Sequence, residues 1–104
     1  MPKGTQSILQ RNNSKCYLCG EEANYVDGKL DVHHIFPGTA NRKKSEEYGL
    51  KVRLHHNKCH QYGPDSVHRN REVAMQLMIE GQRAFEELYG DRDFFRKEFG
   101  KSYL

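Results

Sequence analysis

All three cysteines and all six histidines of this chain lie between positions 16 and 68. Thiol and imidazole side chains crowded into part of a small polar chain point to metal binding, and a metal constrains such a fold more than its core does. At 104 residues, with 36% hydrophobic and 30% charged side chains, there is room for one small domain whose apolar core alone would be marginal. Domains of this size commonly add a metal or a disulfide as a staple. The odd cysteine count argues against a complete disulfide framework, and Cys-x-x-Cys beside a histidine cluster favours zinc. Reduced thiols imply an intracellular, cytoplasmic setting. No apolar run approaches membrane-spanning length, and Met1 to Arg11 carries no apolar stretch of the kind a signal peptide needs.

Cys16-Tyr17-Leu18-Cys19-Gly20 has the spacing of a zinc knuckle, with the glycine letting the chain turn so that backbone N–H groups face the sulfurs. It needs a second half. His56 and Cys59 repeat the two-residue gap of Cys16 and Cys19, which favours a structural zinc site of three cysteines and one histidine: Cys16, Cys19, His56 and Cys59. His55 competes with His56 for the fourth position.

Leu30-Asp31-Val32-His33-His34-Ile35-Phe36-Pro37 reads as a strand that carries adjacent histidines. Neighbouring strand residues point to opposite faces, so one ring can face a metal and the other a water or substrate. The strand is expected to pair in a hairpin with Asn24 to Asp27, with Asp27-Gly28 supplying the turn. Leu50 to Leu54 alternates apolar and basic residues, as a short half-exposed strand does. A short helix beginning after Asn57 would aim His60 away from the knuckle and toward the histidine pair.

Around these parts lie a polar arm (residues 1–15), expected to be loose, and a polar basic stretch, Thr39 to Gly49. That stretch reads as a loop with one helical turn capped by Ser45. Arg42, Lys43 and Lys44 within it, and Arg53, are candidate phosphate contacts. Met1 to His68 holds ten Lys/Arg against seven Asp/Glu, whereas the remainder holds seven of each, so the histidine-rich part carries the excess charge of +3. That excess gives mild support to a polyanionic partner. From Asn70 to Tyr89, Val73, Ala74, Leu77, Met78, Ala84, Phe85 and Leu88 form the stripe of an amphipathic helix ending near Gly90. Asp91 is placed to cap a second helix that carries Phe94, Phe95 and Phe99. The expected organisation is an arm over 1–15, a metal-binding domain over 16–68 and a helical extension over 69–104 packed on it.

The run Asp31-Val32-His33-His34-Ile35-Phe36-Pro37, the later Cys59-His60 and the Cys16-x-x-Cys19 knuckle together resemble the ββα-metal, or HNH, endonuclease family. Phe36 to Leu54, the Ser66-Val67-His68 segment and the C-terminal helices are similar to small phage-encoded members. The resemblance implies an α+β fold: a ββα-metal (HNH) core with a structural zinc knuckle and a C-terminal helical extension. It implies metal-dependent hydrolysis of DNA phosphodiester bonds that leaves 5′-phosphate and 3′-hydroxyl ends. His34 would be the general base, and His33 and His60 ligands of the catalytic ion. His68 would complete the shell, as a third histidine does in colicin-like members. A neutral imidazole near its usual pKa of about 6.5 suits proton abstraction from water. Nitrogen ligands suit zinc, nickel or manganese, and magnesium if waters fill its shell. The implied partners are DNA and, through the phage likeness, phage packaging or replication proteins, with no membrane. Gly49 stands where the family usually has an Asn, which leaves open a non-catalytic zinc module that binds nucleic acid or serves a regulatory role.

Overall fold

The computed structural model describes residues 6–12 and 14–104. Its elements run β1 (Leu30–His34), α1 (Thr39–Tyr48), β2 (Lys51–His55), a π-helical segment (His56–Gln61), α2 (Arg71–Leu88) and α3 (Arg92–Phe99). The result is a small α+β fold built on an antiparallel pair of strands. No helix among the described residues is long and apolar enough to cross a membrane.

β1 pairs with β2, with Leu30 opposite His55, His33 opposite Val52 and His34 opposite Lys51. This corrects the expected local hairpin. Asn24 meets Gly28 only in an isolated bridge, because the Asn24 side-chain oxygen accepts from Val26 N and Asp27 N and closes a tight turn. Turn chemistry of that kind competes with strand extension. The alternating pattern of β2 does what the sequence suggests: Val52 and Leu54 are buried, while Lys51 and Arg53 are only half-buried.

Thr39 to Tyr48 is a full helix, not a loop with one turn. Ser45 does not cap it. The residue is buried in the last part of α1, and its Oγ accepts a hydrogen bond from Phe36 N. Few residues in α1 are apolar, so its periodic signal is weak, and tertiary contacts hold it instead. Lys44 Nζ and Tyr48 Oη both reach Glu98 Oε1 on α3, and Asn41 Nδ2 donates to Phe99 O. Gly49 ends α1 in the left-handed region at φ +71, its N–H bonded to Ser45 O.

α2 starts where the sequence places it. The Asn70 side chain accepts from Glu72 N and Val73 N, satisfying two of the first-turn donors. Asp91 caps α3 in the same way through Phe94 N. Phe36, Phe85, Phe95 and Phe99 pack against one another with centroids 4.7–5.9 Å apart, within the range aromatic pairs favour. Leu50, Val52, Leu54 and Leu77 fill out the core. Gly81 lets α2 press close to the end of β1, since a Cβ there would lie 3.3 Å from both Ile35 and Phe36 side chains.

The arm is tied down over its described part. Ile8 N donates to Gly49 O at 2.9 Å, Arg53 N to the Gln10 side chain at 2.7 Å, and Ile8 and Leu9 pack on the core. Residues 1–5 and 13 of that expected loose arm lie outside the described residues.

Candidate metal centres and active site

Four side chains from three parts of the chain converge beside β2. Cys16, Cys19, His55 and Cys59 place one ligand atom each within 4.8 Å of one another. Cys16 and Cys59 are buried. Gly20 N bonds back to Cys16 O at 2.9 Å, forming the knuckle turn. His55 Nε2 donates to Glu22 O at 2.7 Å, while Nδ1 lies 3.2 Å from Cys19 Sγ. The backbone bond thus fixes the tautomer and turns the Nδ1 lone pair to the sulfurs, as metal-bound imidazoles require. Burial opposes ionisation of Cys16, but hydrogen bonds from the backbone of Cys19, His55 and Leu18 outweigh it and hold that thiol down to about 7. Burial and the two neighbouring sulfurs push Cys59 up. A soft, closed set of three sulfurs and one imidazole could hold a structural metal ion.

His56 is not part of this set, contrary to the sequence spacing. β2 ends at His55, whose ring faces the sulfurs. His56 opens the π-helical segment, and its Nδ1 donates to Asp31 Oδ2 at 2.6 Å. The gap from ligand to Cys59 is therefore one residue longer than the Cys16–Cys19 gap.

The second cluster is formed by His33, His60 and His68, whose ligand nitrogens also lie within 4.8 Å of one another. Ring centroids are 5.2 Å apart for His33–His60, 5.8 Å for His33–His68 and 4.7 Å for His60–His68. The Nε2 atoms of His60 and His68 are 3.2 Å apart. Two imidazole nitrogens sharing a tetrahedral ion at ~2.0–2.1 Å stand roughly 3.3–3.4 Å apart, so the donor set fits a divalent metal. The π-helical segment aims His60 here, with Tyr62 N and Gly63 N both bonded to Asn57 O at 2.9 Å. Such wide turns often occur at functional positions. His68 is held by its own N–H to His60 O at 3.2 Å.

Asp31 supports this cluster from behind. Its Oδ2 accepts from His60 Nδ1 at 2.9 Å as well as from His56. Burial works against its charge, but the two donated bonds outweigh it and keep the carboxyl below the ordinary value. With Nδ1 of His60 occupied, Nε2 presents its lone pair to His33 and His68. Burial first, then the neighbouring imidazoles of His60, His68 and His34, lower His33 to about 3. Burial and His60 also lower His68. Both rings are thus neutral at physiological pH, the form that coordinates metal.

His33, His60 and His68 line a cavity of about 700 Å³ together with His34, Arg42, Val67 and Met78. His34 approaches Glu46 of α1, with Nε2 2.8 Å from Oε1. Among the candidate phosphate contacts, Arg42 is on the cavity wall and exposed. Lys43 is exposed on α1, and Arg53 is half-buried on β2. Lys44 is committed to Glu98 at 2.9 Å. Sequence reasoning did not single out Glu46 as a site residue, and it ranked His55 second. Glu46 lies in a stretch whose polar residues carry no helical signal, and the matched two-residue gap favours His56 over His55.

No protein-family model, no curated protein and no solved structure matches this chain.

Proposed function

We propose that the chain is a metal-dependent endonuclease of the HNH kind, hydrolysing DNA phosphodiester bonds. The observation that carries the reading is the convergence of His33, His60 and His68 in one cavity with His34. The closed thiol set and the open histidine set have different uses. The first has four protein ligands and leaves no place for substrate. The second has three and leaves positions for water and phosphate oxygen. The antiparallel strands β1 and β2 with the π-helical segment that follows β2 support a ββα-metal core, with α1 inserted between the strands and the C-terminal helices as its extension.

In this reading His33, His60 and His68 hold the divalent ion, which supplies charge neutralisation at the phosphate and the departing oxygen. Magnesium, manganese, nickel and zinc are the candidate ions, with zinc at the Cys16, Cys19, His55 and Cys59 set. His34 takes a proton from water, which attacks phosphorus. Arg42 and Lys43 meet backbone phosphates and set position and affinity more than sequence preference. Asp31 keeps the His60 ring in the ligating tautomer. Gly49 at the family's Asn position follows from the backbone, because the φ +71 cap of α1 favours glycine there.

The test is a metal-dependence assay on supercoiled plasmid with magnesium, manganese and nickel. The nuclease reading expects metal-dependent nicking or linearisation that leaves 5′-phosphate ends. DNA binding without cleavage under every ion would favour a non-catalytic zinc module instead.

A further inference from the structure

Glu46 belongs to none of the candidate metal clusters, yet its carboxylate is held at both ends. Oε1 lies 2.8 Å from His34 Nε2. Oε2 takes the Lys51 ammonium, and Lys51 is the residue directly opposite His34 across the strands. All three side chains are less than a third exposed, at 16% for His34, 29% for Glu46 and 17% for Lys51. The Lys51 ammonium donates to Oε2, and a carboxyl group is ordinarily ionised near neutral pH. An ionised carboxylate can only accept, so the imidazole nitrogen facing it must carry the hydrogen. Among the described residues, the ring's one hydrogen bond is the bond to Glu46, which leaves Nδ1 free of a protein partner.

Glu46 is also placed with care. Its neighbour Ser45 is pinned to Phe36 N, and Lys44 and Tyr48 on either side are tied to Glu98 of α3. The helical extension therefore sets where this carboxylate stands, through α1.

We propose that Glu46 is the positioning residue for His34: it holds the imidazole as the Nε2–H tautomer and leaves Nδ1 as the nitrogen that takes the proton. The proposal rests on the nuclease reading. Water gives a proton to Nδ1, the resulting hydroxide forms the new bond to phosphorus, and the bond to the departing 3′ oxygen breaks. That oxygen takes a proton from solvent. The imidazolium so formed faces the Glu46 carboxylate, which stabilises it. This is the logic by which a carboxylate orients a catalytic imidazole in hydrolases.

The experiment combines two readouts on the zinc-loaded full chain: long-range proton–nitrogen NMR of the His34 ring, and steady-state cleavage of supercoiled plasmid. The wild type should show His34 as Nε2–H. Glu46→Ala should give a mixed tautomer and lower kcat on the order of 100-fold, with KM and metal content unchanged. Glu46→Gln keeps an acceptor for Nε2–H. It should retain the tautomer and recover part of kcat. A wild-type ring protonated at Nδ1 would overturn the proposal. So would an unaltered tautomer or kcat in Glu46→Ala, or a loss that tracks metal release. A wild type that cleaves nothing sinks the nuclease reading and the catalytic use of Glu46 with it. The NMR readout then reports separately whether Glu46 sets the ring.

Discussion

His60 offers Nδ1 to Asp31 Oδ2 at 2.9 Å. That bond decides which face of the ring meets His33 and His68. Removing the carboxylate frees the tautomer and leaves His33, His60 and His68 in place. Asp31→Ala should weaken divalent-ion binding at the histidine set by about 10–100-fold. Titration calorimetry with nickel on the zinc-loaded chain checks this. Unchanged affinity would mean that this bond does not set the ligating tautomer of His60.

His55 and His56 are neighbours with different jobs. His55→Ala removes one of the four side chains around the structural site. Structural zinc contributes an apparent ~10–16 kcal/mol in small zinc-folded peptides, comparable to the ~5–15 kcal/mol net stability of an ordinary domain. The variant is therefore expected to lose zinc and cooperative unfolding. His56→Ala should keep one zinc per chain at the thiol site and unfold within a few degrees of the wild type. Metal analysis and thermal denaturation of the two variants separate these outcomes.

Gly49 answers a steric demand. A Cβ there would stand well inside contact distance of Gln6 O, at a backbone angle of +71. Gly49→Asn, which places there the Asn usual in HNH proteins, should destabilise the chain by ~1–2 kcal/mol and should not raise activity. Amide exchange at Ile8, whose N–H bonds Gly49 O, should speed up. Denaturant unfolding gives the stability change.

The basic residues of α1 should divide. Arg42→Ala and Lys43→Ala should each weaken DNA binding and flatten the salt dependence by close to one unit of log–log slope, as loss of a phosphate contact does. Lys44→Ala should leave that slope nearly unchanged, because its ammonium already faces Glu98 at 2.9 Å. Affinity measured across a salt series distinguishes the three.

Much of this architecture is legible in the sequence. The α2 stripe, the Asp91 cap and the alternation of β2 are local signals, and the structure follows them. The pairing of β1 with β2 is not local. It joins segments separated by α1, and the nearby Asp27-Gly28 turn offered a more obvious partner. α1 gives no helical signal because its residues are nearly all polar, and what holds it is Glu98, far along the chain. Spacing brings the three thiols together, but the matched two-residue gap points to His56, and the structure puts His55 in the set instead. Strand direction at the end of β2 makes that choice. His33, His60 and His68 were grouped through a family likeness, and their nitrogens do meet.

The most direct measurement is plasmid nicking by His34→Ala beside the wild type, with metal content and melting temperature followed in the same samples. Activity should fall at least about 100-fold, while zinc at the thiol set and nickel binding at His33, His60 and His68 stay as they were. A variant that nicks at the wild-type rate with both metal sites intact would contradict the assignment of His34 as the base.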